Sequence, residues 1–129
     1  MEKEIGWLLK EKYPSASLRA SKAKEIHKDI ERIEAGEPID YVIGFTEFLG
    51  CRIDLSEKPL IPRPETEFWV GQAIKDTLTY SSLSGCRDSK KRIKVLDMFA
   101  GSGCIGNSIL RHVKNAEVIF ADKYKYFNS

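Results

Sequence analysis

The run Val95-Leu96-Asp97-Met98-Phe99-Ala100-Gly101-Ser102-Gly103-Cys104-Ile105-Gly106 holds the residues best suited to chemistry. A β-branched and apolar stretch enters it, glycines turn it, and a helical pattern leaves it. Glycine carries no side chain, so a ligand can approach the backbone closely there. The N–H groups at the start of the following helix have no partner inside that helix and can meet a polar or anionic group. A nucleotide-type ligand also needs a carboxylate at the end of the next strand, to accept hydrogen bonds from ribose hydroxyls. Asp122 stands in that place, about twenty residues past the glycines. Together these residues point to a nucleotide-type ligand without saying which one. The phosphate-cradling loop that ends in Gly-Lys and then Ser or Thr is absent. The glycines that count for a ligand are taken to be Gly101 and Gly103, and the loop is not read as the dinucleotide fingerprint GxGxxG. The competing structural reading is a strand-turn-helix whose helix is capped by Ser102.

The elements that must hold this loop follow from periodicity. Ile93 to Asp97 reads as a buried parallel strand. Residues 104–114 read as a helix with Ile105, Ile109 and Val113 on one face. Glu117 to Ala121 reads as a second strand, which gives one β-α-β unit. Upstream, residues 2–12 predict a helix with Ile5, Leu8 and Leu9 as its stripe. Residues 21–35 predict another, with Ser21 as cap, Ala23, Ile26, Ile30 and Ile33 as packing face, and Gly36 and Pro38 as stop. His27 lies beside that face as an ordinary surface residue. Tyr41, Ile43 and Phe45 alternate, as in an extended segment. Glu47 to Leu55 then predicts two short strands around a turn at Gly50. A helix over 64–80 starts at Pro64, with Glu65 and Glu67 in its first turn, where the helix dipole favours carboxylates. Residues 81–92 read as a linker and 123–129 as a tail.

Composition excludes several classes. The net charge is +2, too small to mark a dedicated nucleic-acid binder. The short basic cluster Lys90, Lys91, Arg92 and Lys94 is taken as a solvated lead-in to a strand. The three cysteines, Cys51, Cys86 and Cys104, are odd in number and show no CxxC spacing. That argues against a disulfide framework and against a zinc knuckle, and no metal site is expected. Free thiols fit a reducing compartment, and no apolar run is long enough for a membrane span. A cytoplasmic location is expected.

A second motif narrows the reading. The segments Pro38-Ile39-Asp40-Tyr41-Val42-Ile43-Gly44, Glu47-Phe48-Leu49-Gly50 and Leu60-Ile61-Pro62-Arg63-Pro64-Glu65-Thr66-Glu67 precede the glycine loop. In order and distance they resemble the segment before motif I of the release factor glutamine methyltransferases, and LIPRPETE is highly characteristic of that group. The resemblance runs from about residue 36 to residue 122. It implies an α/β fold: an incomplete Rossmann-like class I methyltransferase domain, its first β-α-β unit preceded by a short helical segment and a β-hairpin. The implied divisions are residues 1–37 as a shortened helical segment, 38–80 as hairpin and LIPRPETE helix, 81–92 as linker, and 93–129 as the start of the methyltransferase domain.

The family cofactor is S-adenosyl-L-methionine. The resemblance places Asp97, Phe99, Ala100, Gly101, Ser102, Gly103 and Asp122 around it. Leu60, Arg63, Pro64, Glu65 and Thr66 would sit near the pocket, with Leu60 in apolar contact near the methyl donor. Read without the family, Arg63 and Glu65 are simply an ion pair at a helix start. The implied substrate is the side-chain amide of a glutamine in a peptide chain release factor, docked by an amino-terminal helical bundle. Three departures are visible. Phe99 stands where the family usually has glycine, and the variant Asp-x-Phe-Ala-Gly-Ser-Gly also occurs in RNA and DNA methyltransferases. The helical segment is short. The family's Asn-Pro-Pro-Tyr, which grips the substrate amide, does not occur in these residues. The expectation is therefore a truncated and inactive form that assigns no catalytic residue and self-associates through open sheet edges. A nucleic-acid methyltransferase fragment and a non-catalytic binding module stay open as alternatives.

Overall fold

A computed structural model describes residues 1–83 and 92–123. Cys86, Lys90, Lys91, most of the expected linker and nearly all of the expected tail lie outside them. The chain divides into two compact units, Met1–Phe45 and Thr46–Ser129, and is mixed α/β.

The first unit is helical. α1 (Glu2–Glu11) and α3 (Ala23–Glu34) follow their apolar stripes. Leu8, Tyr13, Ile33, Val42 and Ile43 form the core, with Leu9, Leu18, Ile26 and Ile30 against it. Two elements differ from expectation. A short helix, α2 (Ala16–Ser21), precedes α3, and Ser15 Oγ caps it by accepting from Leu18 N at 3.2 Å. Ser21 is therefore no cap for α3: it ends α2, and its hydroxyl donates to Leu18 O at 3.0 Å. Residues Ile39–Ile43 form a helix, α4, not an extended segment. Pro38 sets its start, and Gly44, at φ +91°, ends it with its N–H on Asp40 O at 2.8 Å. Val42 and Ile43 need burial on one side, and a single helical turn between Pro38 and Gly44 provides it. His27 is an exposed partner of Glu31, 3.4 Å away. Asp29 is buried on α3 and accepts from Tyr13 Oη at 2.8 Å and Lys12 Nζ at 2.7 Å.

The second unit carries the strands. β1 (Phe45–Phe48) and β2 (Cys51–Asp54) pair across the two-residue turn Leu49-Gly50. Both turn residues have positive φ, +47° and +77°, the geometry that matches strand twist in a tight hairpin. α5 runs from Pro64 to Leu83, three residues longer at its end than the periodicity indicates. Its Glu67 Oε1 accepts from Leu49 N at 2.8 Å, which fastens the hairpin turn to the helix. β3 (Ile93–Met98), α6 (Cys104–His112) and β4 (Ala116–Ala121) then form the expected β-α-β unit, but β3 is not the buried strand expected: of its residues only Asp97 is buried, and Leu96 and Met98 are more than half exposed. β3 and β4 pair in parallel, with Asp97 opposite Phe120 and Met98 opposite Ala121. α6 lies against both strands and against β2 and α5. Phe48, Ile53, Leu55, Val70, Ile74 and Val113 are buried in this unit. Among the described residues no helix is long and apolar enough to cross a membrane.

Candidate functional site

The loop from Phe99 to Gly103 joins β3 to α6. Three of its residues adopt left-handed backbone: Phe99 at φ +57°, Gly101 at +54° and Gly103 at +72°. Such a path is open to glycine at little cost. Ala100, buried, donates its N–H to Ala121 O at 3.1 Å and so ties the loop to the end of β4. A side chain added at Gly101 would meet nothing closer than Phe99 O, 3.9 Å away, so the backbone there faces open space. Gly103 is the residue before α6, and no side chain caps that helix. Ser102 is buried and hydrogen-bonds the Cys104 thiol, so it is not the helix cap.

Both expected aspartates converge on this loop. Asp97 closes β3, is 6% exposed, and accepts from Gly106 N at 2.9 Å through Oδ2. Asp122 follows β4 and accepts from Gly101 N at 2.7 Å. Burial raises the Asp97 carboxyl above the usual carboxylate range; the Gly106 N–H opposes the rise and the nearby Asp122 charge adds to it. Burial likewise raises the Cys104 thiol, which keeps it a poor nucleophile.

Three donors of the loop and helix start are taken by the chain itself. The N–H groups of Gly101, Gly103 and Gly106 serve Asp122, Ala100 O and Asp97. No Lys or Arg lies between Val95 and Gly106. The two carboxylates that converge on the loop suit hydroxyl donors.

The LIPRPETE residues lie at the start of α5. Leu60 is 76% exposed, and Arg63, Pro64 and Glu65 are exposed while Thr66 is half-buried. Among the described residues no hydrogen bond joins this segment to the glycine loop, and Arg63 and Glu65 make no ion pair with each other.

No family model matches the chain. Curated relatives do. It is 41% identical over 91 residues to the release factor glutamine methyltransferase of Flavobacterium psychrophilum, covering 70% of this chain and 30% of that one. The protein of the same name in Bacteroides thetaiotaomicron is 34% identical over 101 residues, 78% of this chain and 32% of its own. That of Lactococcus lactis subsp. lactis is 30% identical over 121 residues, 92% of this chain and 39% of its own. The chain belongs to the release factor glutamine methyltransferase family. It spans about a third of the length of these relatives.

In this member of the release factor glutamine methyltransferase family one site residue was not singled out from sequence. Gly106 completes the spacing Gly101-x-Gly103-x-x-Gly106, so the loop does carry the GxGxxG pattern that the sequence reading set aside. Its role is packing. A Cβ at Gly106 would collide with the Phe120 ring and lie 2.9 Å from Val118 Cγ1. The third glycine of such loops lets helix and strand close together, and the spacing alone could have signalled it. An open groove of about 390 Å³ lies between the hairpin turn and α5, lined by Leu49, Pro64, Glu67, Phe68, Gly71, Gln72 and Lys75. It shares no residue with the glycine loop.

Proposed function

We propose that this chain is the S-adenosyl-L-methionine-binding part of a methyltransferase acting on a glutamine amide of peptide chain release factors. The observation that carries the reading is the glycine loop with Gly101 open and the carboxylates of Asp97 and Asp122 converging on its N–H groups. The residues fit the cofactor. A carboxylate offers about four lone-pair sites, so Asp122 can accept from ribose hydroxyls while it holds Gly101 N. Gly101 and Gly103 give passage beside the backbone, Asp97 fixes the loop through Gly106, and Phe99, Ala100 and Ser102 complete its wall. Leu60, Arg63, Pro64 and Glu65 belong to the same site in this reading, brought over it from the start of α5. When bound, the cofactor supplies a methyl group on a sulfonium centre. The proposed architecture is a Rossmann-like domain begun by β3-α6-β4, with residues 1–37 in a release-factor docking segment.

Catalysis of this kind rests on positioning the amide, and residues 1–129 offer no Asn-Pro-Pro-Tyr clamp. These residues alone bind cofactor and do not turn over. The test is calorimetric titration of the 129-residue chain with S-adenosyl-L-methionine. Binding is expected, and Asp122→Ala weakens it about 10- to 100-fold, the worth of a hydrogen bond to a charged group. Tighter binding of a nicotinamide dinucleotide than of S-adenosyl-L-methionine would move the site to the class its glycine spacing also allows. Methylation of a release factor by these residues alone would refute the inactive part of the reading.

A further inference from the structure

We propose that Glu67 and His112 are positioning residues: they hold the hairpin turn between α5 and α6 and so set where the LIPRPETE segment stands relative to the glycine loop. This rests on the cofactor reading above.

The turn is Leu49-Gly50. A two-residue turn of this hand is easiest with Asn or Gly at its first position, because φ is positive there. Leu49 instead takes φ +47° with a branched side chain. Such a conformation costs free energy and persists only where the surroundings fix it. Three contacts do so. The Leu49 N–H donates to Glu67 Oε1 at 2.8 Å, 18 residues away along the chain. The Leu49 carbonyl oxygen accepts from His112 Nε2 at 2.8 Å, 63 residues away. A carbonyl oxygen cannot donate, so Nε2 carries the proton. The half-buried side chain lies by Gly71, where an added Cβ would be 3.6 Å from Leu49 Cδ2. Arg111 covers the second turn residue, its Nε 3.4 Å from where a Cβ of Gly50 would be.

A surface turn that only reverses the chain can leave its polar groups to water. Here the N–H and the carbonyl of one strained residue are taken by side chains of two different helices. Those helices carry the two halves of the proposed site. Glu67 ends the LIPRPETE run in the first turn of α5. His112 is the last residue of α6, the helix that follows the glycine loop. The path from one half to the other therefore runs from Glu67 through Leu49 to His112 and along α6. Groups that bind a ligand work only when supporting hydrogen bonds hold them in place, and a displacement of about 1 Å is enough to matter.

The experiment uses the 129-residue chain as wild type, Glu67→Gln, Glu67→Ala, His112→Ala and the double variant Glu67→Ala with His112→Ala. Each is titrated calorimetrically with S-adenosyl-L-methionine, and amide hydrogen exchange in the hairpin is followed without ligand. Glu67→Ala is expected to speed exchange at the Leu49 amide and to weaken cofactor binding about tenfold. Glu67→Gln keeps an acceptor for Leu49 N and restores affinity to within about twofold of wild type. His112→Ala weakens binding as well. The double variant loses less than the product of the two single losses, because either cut already releases the turn. Should Glu67→Ala fail to fold, His112→Ala, which alters an exposed side chain, decides alone. Faster exchange or a lower melting temperature with wild-type affinity in the folded variants overturns the proposal and leaves the cofactor site standing. Equal losses in Glu67→Gln and Glu67→Ala assign the effect to the charge of Glu67 and overturn it too. Absence of binding by the wild-type chain overturns the cofactor site and this proposal with it.

Discussion

A buried carboxylate beside a second carboxylate works against folding, and Asp97 is placed that way. Burial raises its pKa in the folded chain above the unfolded value, the Gly106 N–H only partly opposes this, and Asp122 adds to it. The native chain therefore holds this proton more tightly than the unfolded chain. The contribution of Asp97 to stability is complete below the ordinary carboxylate pKa and is lost as pH rises through the raised folded value. Asp97→Asn keeps an oxygen for Gly106 N and cannot ionise. Its unfolding midpoint in urea should gain on that of wild type as the buffer goes from about pH 4 to about pH 7. Parallel midpoints over that range would show that Asp97 ionises in the fold without penalty. The residue types of this site were readable from the chain alone: Asp97, the glycines and Asp122 stand at the spacing that a strand-turn-helix-strand imposes. The direction of the loop N–H groups was not readable. Whether a donor meets a ligand or the chain's own carboxylate depends on loop torsions, and three left-handed residues in five positions leave no period to extrapolate.

At the scale of elements, α6 can lie on β4 only because Gly106 has no side chain. A Cβ there would lie 2.7 Å from Phe120 Cζ and 2.9 Å from Val118 Cγ1. Gly→Ala inside an exposed helix ordinarily stabilises by about 1 kcal/mol, whereas overpacking a close contact costs about 1–3 kcal/mol. The second effect should win, so Gly106→Ala should lower the melting temperature and reduce the urea midpoint. A rise in either would mean that the Phe120 ring moves aside freely. α1, α3, α5 and α6 were legible because apolar residues recur along them at helical spacing. α2 was not, since none of its residues is buried and Ser15 supplies its only marker. α4 was misread because Tyr41, Ile43 and Phe45 alternate over too short a stretch to separate the two periods. The Asp29 cluster was invisible for another reason. Lys12, Tyr13 and Asp29 meet only after α1 and α3 pack, and spacing along the chain carries no trace of that.

At the scale of the whole molecule, both sheets among the described residues have two strands, so every strand in them is an edge. Two-stranded sheets gain little stability by themselves, and open edges offer unpaired N–H and carbonyl groups to another chain. One face of the β3–β4 pair adds apolar surface: Leu96 lies opposite Ile119 in the register, Met98 follows two residues on, and all three are more than half exposed. Burying such side chains against a second copy is worth about 25 cal/mol per Å² removed from water, which favours association over an isolated chain. The 129-residue chain should therefore self-associate in sedimentation velocity as its concentration rises. The double substitution Leu96→Lys and Ile119→Lys puts charge on that face, as natural sheets do to protect an edge, and should shift the distribution to monomer with the helical circular dichroism unchanged. The same association in wild type and variant would place the contact elsewhere, at β1, β2 or the exposed Phe68 and Trp69 of α5. A monomer at every concentration would mean that two-stranded sheets, each braced on one side by helices, suffice in this chain.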